Sequence, residues 1–241
     1  MPDTGAKPPE PGRIGDALVS IEAAVDGGST DLSGLGFWRI VRTVKAHPAL
    51  LERHADTIGR IDHKAFEARV WPRFPVWLGN GSLLVGTLAG AGAVAYAISC
   101  DVPTVSAALL VGGGAIWSVT LHDLAHWVVG RIQGIRFACY FLDGPFRIQP
   151  GLKTDYATYL KAQPGERATM HAAGALASKA APFVALAFWP VADASPWAAW
   201  ALAGVGVLQI FTDVIWSTRK SDWKKVRRER RLAAAQRAAR M

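Results

Sequence analysis

From Val76 to Ile98 the chain runs without one charged side chain. As a helix this segment would rise about 35 Å, enough to cross a hydrocarbon core of about 30 Å. Three comparable stretches follow. Val105–Gly130 holds only Asp123 as a charge, Ala168–Trp189 holds His171 and Lys179, and Trp197–Thr218 holds Asp213. A soluble chain of 241 residues rarely carries four such stretches. The expected fold class is therefore mainly α: a polytopic membrane protein with about four transmembrane helices.

The charges fix an orientation. The connections Cys100–Thr104 and Val191–Pro196 contain no Lys or Arg, whereas Arg131–Arg167 contains six. Residues 219–240 hold ten Lys and Arg against two acids, so much of the net charge of +8 sits at the C-terminal end. Under the positive-inside rule both termini and the long connection are cytoplasmic. The membrane expected is the cell inner membrane. Cys100 and Cys139 then lie on opposite sides, and no disulfide joins them.

Four regions follow from this pattern. Residues 1–31, rich in Gly, Pro, Asp and Ala, form a disordered leader with one short helix near Ile14–Val25. Residues 32–75 form a small cytoplasmic helical region, with Phe37, Ile40, Val41 and Val44 on one face and a break at Pro48. This region is too small for a large core of its own and packs on the membrane domain or lies at its interface. Residues 76–218 are the membrane domain. After its second span, IRFACYF, the turn Leu142-Asp143-Gly144-Pro145 and FRIQP form a small cytoplasmic β-hairpin. Residues 219–241 are a basic tail helix. Anionic lipid headgroups are its expected partner, and nucleic acid is not, because only Trp223 interrupts the basic run.

The second span ends in Leu121-His122-Asp123-Leu124-Ala125-His126-Trp127. Histidines at i and i+4 share one helix face, and neutral imidazoles there can converge on a zinc ion. Two imidazoles and a carboxylate within five residues of a span are costly, so ionisable groups at this depth point to function. A polar packing cluster and a proton pathway are the other readings. A zinc site needs a third protein ligand and keeps a fourth position open. Asp213 is the leading candidate. It lies six residues before Arg219, as His126 lies five before Arg131, so both sit roughly 8 Å inside the boundary on parallel helices. The other reading of Asp213 is a packing acid paired with Lys179, or a protonated one. Asp222 is the fallback ligand, placed at the membrane surface. His171 is a possible accessory group or a plain helix-start histidine. Lys179, near mid-span, needs a partner or a polar cavity. His47, His54 and His63 are surface residues. A di-iron membrane desaturase needs several histidine clusters, and this chain has six histidines and one tight pair.

Over about Val105–Ser217 the chain resembles the site-2 protease family of intramembrane zinc metalloproteases. LHDLAHWVVGRIQGIRF is similar to that family's HExxH helix and the turn after it. The β-rich connection, ERATMHAAGALASKAAP and VLQIFTDVIWS stand where the family has its cytoplasmic sheet, its Ala-Gly-Pro stretch and its Asn-Pro-Asp-Gly segment. The resemblance implies that His122, His126 and Asp213 hold Zn²⁺. It makes Asp123 the catalytic general base and a membrane-spanning protein the substrate, cut near the cytoplasmic face. The hairpin Ile135–Pro150 would lend strand hydrogen bonds to the unwound substrate. Asp123 stands where the family has Glu, Ala175 where it has Pro, and the segment around Asp213 lacks the Asn, Pro and Gly. The alternative expectation is a catalytically impaired relative that acts as a membrane-embedded metal-binding or regulatory partner.

Overall fold

Apolar residues at positions 14, 18, 21 and 25 recur every three or four residues, which closes one face of a helix. A computed structural model of the protein describes residues 11–143, 149–215 and 221–238. Its elements are α1 (Ile14–Asp26), α2 (Phe37–Ala46), α3 (Pro48–Arg69), β1 (Arg73–Phe74), α4 (Val76–Ile98), α5 (Pro103–Ile132), β2 (Phe137–Asp143), β3 (Gln149–Thr154), α6 (Tyr156–Lys161), α7 (Pro164–Ala187), α8 (Trp197–Ile215) and α9 (Asp222–Ala238). The leader before residue 11, the turn residues Gly144 and Pro145, residues 216–220 and the last three residues of the tail lie outside the described residues.

The chain divides into two units. The first draws on Met1–Phe74, Gly134–Gln163 and the end of the tail. Its core joins Ile14, Leu18, Ile21 and Val25 of α1 to Phe37 and Val44 of α2, Ile58 and Ile61 of α3, and Leu160 of α6. Ordered packing thus begins within the stretch expected to be a loose leader, because α1 supplies a fully apolar face to α2 and α3. Pro48 starts α3 rather than merely ending α2, at a position where a missing N–H costs nothing.

The hairpin expectation is met by β2 and β3, paired antiparallel with Tyr140 opposite Leu152. A third strand, β1, pairs antiparallel with β2, so the order is β1-β2-β3. Lys153 on β3 ties the sheet to α3, with its Nζ 2.5 Å from Asp62 Oδ2 and 4.7 Å from the Phe66 ring centre.

Glu22 fastens α1 to α3 by accepting from Arg60 Nε and Nη2 at 2.7 and 2.9 Å and from Lys64 Nζ at 3.0 Å. The Arg60 hydrogen bonds, then that from Lys64, pull the Glu22 carboxyl from 4.5 down to about 2. A carboxyl depressed by folding contributes stability above its unfolded value and loses it as the pH falls toward the folded one. Glu22→Gln is expected to lower the melting temperature at pH 7 and to change it little near pH 2. An equal loss at both pH values would contradict this role.

The second unit comprises Pro75–Gln133 and Pro164–Ala234. Among the described residues, two helices are long and apolar enough to cross a membrane, α4 and α5, where the sequence reading expects four. Only 17% of the most apolar window of α4 and 33% of that of α5 are buried, whereas a soluble core helix would be mostly enclosed. Val85 and Leu88 on α4 and Trp200 on α8 are exposed by 67%, 62% and 79%. Large apolar side chains exposed on these helices are surface that water does not favour.

Glycines let α4 and α5 touch. A Cβ on Gly90 would meet Trp117 Nε1 at 2.9 Å and Gly113 O at 3.2 Å, and one on Gly113 would meet Gly90 O at 3.0 Å. Thr87 Oγ1 also donates to Thr120 Oγ1 at 2.9 Å, and Trp117 Nε1 donates to Thr87 O at 3.0 Å. Small residues at the contact with a few polar bonds across it are how helices associate in lipid, where apolar burial gives little drive.

Candidate metal centre

The centre starts from two antiparallel helices in register. His122 and His126 lie one turn apart on α5, with ring centres 4.7 Å apart. Facing them on α7 are the carbonyls of Gly174 and Met170, also four residues apart. His122 Nδ1 lies 3.0 Å from Gly174 O, and His126 Nδ1 lies 2.8 Å from Met170 O. A carbonyl can only accept, so each Nδ1 carries the hydrogen. In a neutral ring that leaves Nε2 with its lone pair, and both Nε2 atoms turn to the same place. Backbone carbonyls that fix histidine tautomers in this way are the usual support of metal-ligating imidazoles.

Gly174 makes the approach possible. A Cβ there would fall on the His126 ring. The apolar, small-residue run Ala172-Ala173-Gly174-Ala175 therefore has a local purpose, which is to bring the α7 backbone against an imidazole.

The third group comes from α9. Asp222, its first residue, places Oδ2 at 3.4 Å from His122 Nε2 and 3.2 Å from His126 Nε2. The three potential ligand atoms lie within 4.8 Å of one another. The other oxygen, Oδ1, lies 3.3 Å from His171 Nδ1 and accepts from Lys225 Nζ at 2.9 Å. Burial works to raise the Asp222 carboxyl, but His122, His126 and His171 outweigh it and hold the group well below the usual carboxylate range.

Asp222, Val226 and Glu229 follow the i, i+4, i+7 spacing of one helix face, and Val226 and Glu229 are 2% and 0% exposed. Glu229 Oε2 accepts from Arg167 Nε of α7 at 2.8 Å, with both side chains buried. Removing one partner of a buried ion pair costs up to about 3–5 kcal/mol, and here Arg228 Nε, 3.5 Å from Glu229 Oε1, offsets part of it. Arg167→Ala is expected to destabilise the protein on that scale, read as a drop in melting temperature in detergent. A melting temperature within error of wild type would contradict the pairing.

No family model, no curated protein and no solved structure matches the chain. What the centre can do follows from its donor atoms.

Two imidazole lone pairs and one carboxylate oxygen are all acceptors. Brought together they repel unless a positive charge lies among them, either protons on the rings or a metal cation. Two imidazoles and a carboxylate with one position left over is a zinc-type donor set, and the residues present fit that ion. The side chains of His126 and Asp222 are 11% and 13% exposed, while that of His122 is 35% exposed, so the centre opens on the His122 side. Asp123, expected as the general base, is buried beside the pair on α5, 7% exposed.

The leading third ligand of the sequence, Asp213, lies elsewhere than at the histidines. Asp213 of α8 pairs with Lys179 Nζ of α7 instead of reaching the histidines. Each supplies the partner of the other. The carboxylate at the histidines is the fallback candidate, Asp222. His171 joins the centre through Asp222, and Lys179 does not. The signal for Asp222 lay in the tail itself: among ten basic residues its two acids stand seven apart, with Val226 between them on the same face.

Proposed function

We propose that the chain is a membrane-embedded zinc-dependent peptidase of site-2-protease type, acting on membrane-spanning proteins near the cytoplasmic face. The observation that carries this reading is the pair of Nε2 lone pairs, fixed by the α7 carbonyls, that converge with a carboxylate at the end of an apolar helix.

Four crossings by α4, α5, α7 and α8 fit the charge distribution, with both termini and the 131–167 connection on the cytoplasmic side of the inner membrane. α4 and α5 support this by length and apolarity. For α7 and α8 the support is the Lys179–Asp213 pair, which cancels the charges that oppose their insertion. Both acids of α9 turn inward, so its exposed face, with Lys224, Arg227, Arg228 and Arg231, is wholly basic and suits anionic headgroups.

In this reading His122, His126 and Asp222 hold the metal. A zinc ion bound there supplies Lewis acidity that makes water a nucleophile near neutral pH. His171, with Nδ1 3.3 Å from Asp222 Oδ1, lies against the carboxylate and orients it. The open side at His122 admits the unwound peptide. Asp123, one residue after the first ligand, takes the proton from the attacking water and returns it to the leaving amine.

Asp123→Asn is the direct test. It is expected to reduce cleavage of a co-expressed membrane substrate by about 10²-fold or more while the zinc content stays at the wild-type level. Unchanged cleavage would remove Asp123 as the base. A second reading rests on the same residue, because Asp is one methylene shorter than the Glu of catalytic relatives. In that reading the chain is a metal-binding partner with impaired turnover. A gain of cleavage in Asp123→Glu would favour it.

A further inference from the structure

The third ligand of the centre is carried by a helix outside the apolar segments, so something must set where Asp222 points. Glu229 lies seven residues on, two turns or about 10 Å along α9. It is fully buried against Arg167, whose Nε is 2.8 Å away. Arg167 in turn shares one face of α7 with Met170, His171 and Gly174, at i, i+3, i+4 and i+7. That single face meets His122 and His126 through its carbonyls, Asp222 through His171, and Glu229 through Arg167. α7 is thus a common ruler for α5 and α9.

We infer that Arg167 and Glu229 are a positioning pair: they fix the rotation and height of α9 so that the Asp222 carboxylate meets the two histidines. The inference rests on the metal-site reading and adds to it how the site is assembled. α9 is then a ligand-bearing arm, not merely a surface tail, and the centre exists only while the arm is locked to α7. The helix itself transmits the setting. A change of one residue between Asp222 and Glu229 swings the carboxylate by about 100° and shifts it by about 1.5 Å, with the lock unaltered.

That geometry allows a test that a merely stabilising ion pair would not pass. One alanine inserted between Lys225 and Val226 keeps Val226 and Glu229 in register with Arg167 but rotates Asp222 away. One alanine inserted between Leu232 and Ala233 leaves the span from Asp222 to Glu229 untouched. Both full-length variants and wild type are titrated with Co²⁺ and followed by visible absorbance, with melting temperature as a control for folding. The first insertion is expected to weaken Co²⁺ binding at least ~10-fold, the scale on which supporting groups act, and the second to leave it at wild type. Equal affinity in the two variants would overturn the inference. If the first insertion does not fold, Glu229→Gln against Arg227→Gln, an exposed arginine on the opposite side of α9, decides. Weaker Co²⁺ binding in Glu229→Gln alone supports the lock, and equal binding overturns it. A wild-type protein that takes up no Co²⁺ would sink the metal-site reading itself, a result distinct from either pattern among the variants.

Discussion

Asp222→Ala is expected to strip the purified protein of metal, and Asp213→Ala to leave the metal in place. The two aspartates are nine residues apart, and either can be drawn as the third ligand from sequence alone. Their surroundings separate them. Asp222 Oδ2 lies 3.4 and 3.2 Å from the two Nε2 atoms. Asp213 is spent on Lys179. Removing Asp222 takes away one of the three proposed ligands and, among the described residues, the carboxylate that lies against both histidines. Removing Asp213 strands Lys179 in an apolar helix, so its effect is expected on stability, not on metal content. Elemental analysis of both variants beside wild type reads the difference. Metal lost in Asp213→Ala and retained in Asp222→Ala would reverse the assignment.

The second large effect comes from one methyl group. Gly174→Ala places a Cβ on the His126 ring. The ring cannot move aside cheaply, because its Nδ1 is bonded to Met170 O at 2.8 Å and its Nε2 faces Asp222 at 3.2 Å. The obstacle on the other side is the backbone of α7. Overpacking of this kind typically costs about 1–3 kcal/mol, and here any relief rotates a ligand out of the cluster. The expected result is a lower melting temperature together with loss of stoichiometric metal. Gly112→Ala is the control, since a Cβ there meets nothing within 4 Å, and it should keep wild-type metal and stability. A Gly174→Ala protein with full metal content would show that the α7 backbone is not pressed on the site.

The histidine pair was legible because its spacing matches the helical repeat and its setting is apolar. The first apolar run was legible to the residue, since Pro75 and the charges before it leave one place for α4 to begin. The third ligand was not, for a physical reason. Counting residues along parallel helices gives depth but not rotation, and depth alone ranks Asp213 as well as any acid. The pairing with Lys179, the other reading of Asp213, is the one the structure shows: a lysine within an apolar helix needs a carboxylate, and Asp213 supplies it. Asp222 was hidden by composition. A segment with ten basic residues reads as a solvated surface, and the buried face Asp222–Val226–Glu229 emerges only when the helix is turned in space. β1 spans two residues, too few to show a period. α1 was partly legible, as its apolar spacing marks a helix, but only α2 and α3 show what that face packs against.

The central claim is that His122, His126 and Asp222 hold a metal ion. It is tested most directly by elemental analysis of the wild-type protein, purified without added metal or chelator, beside His126→Ala. The account predicts zinc near one ion per chain in wild type and near none in His126→Ala. Wild-type protein that is folded and free of zinc and other transition metals would contradict it.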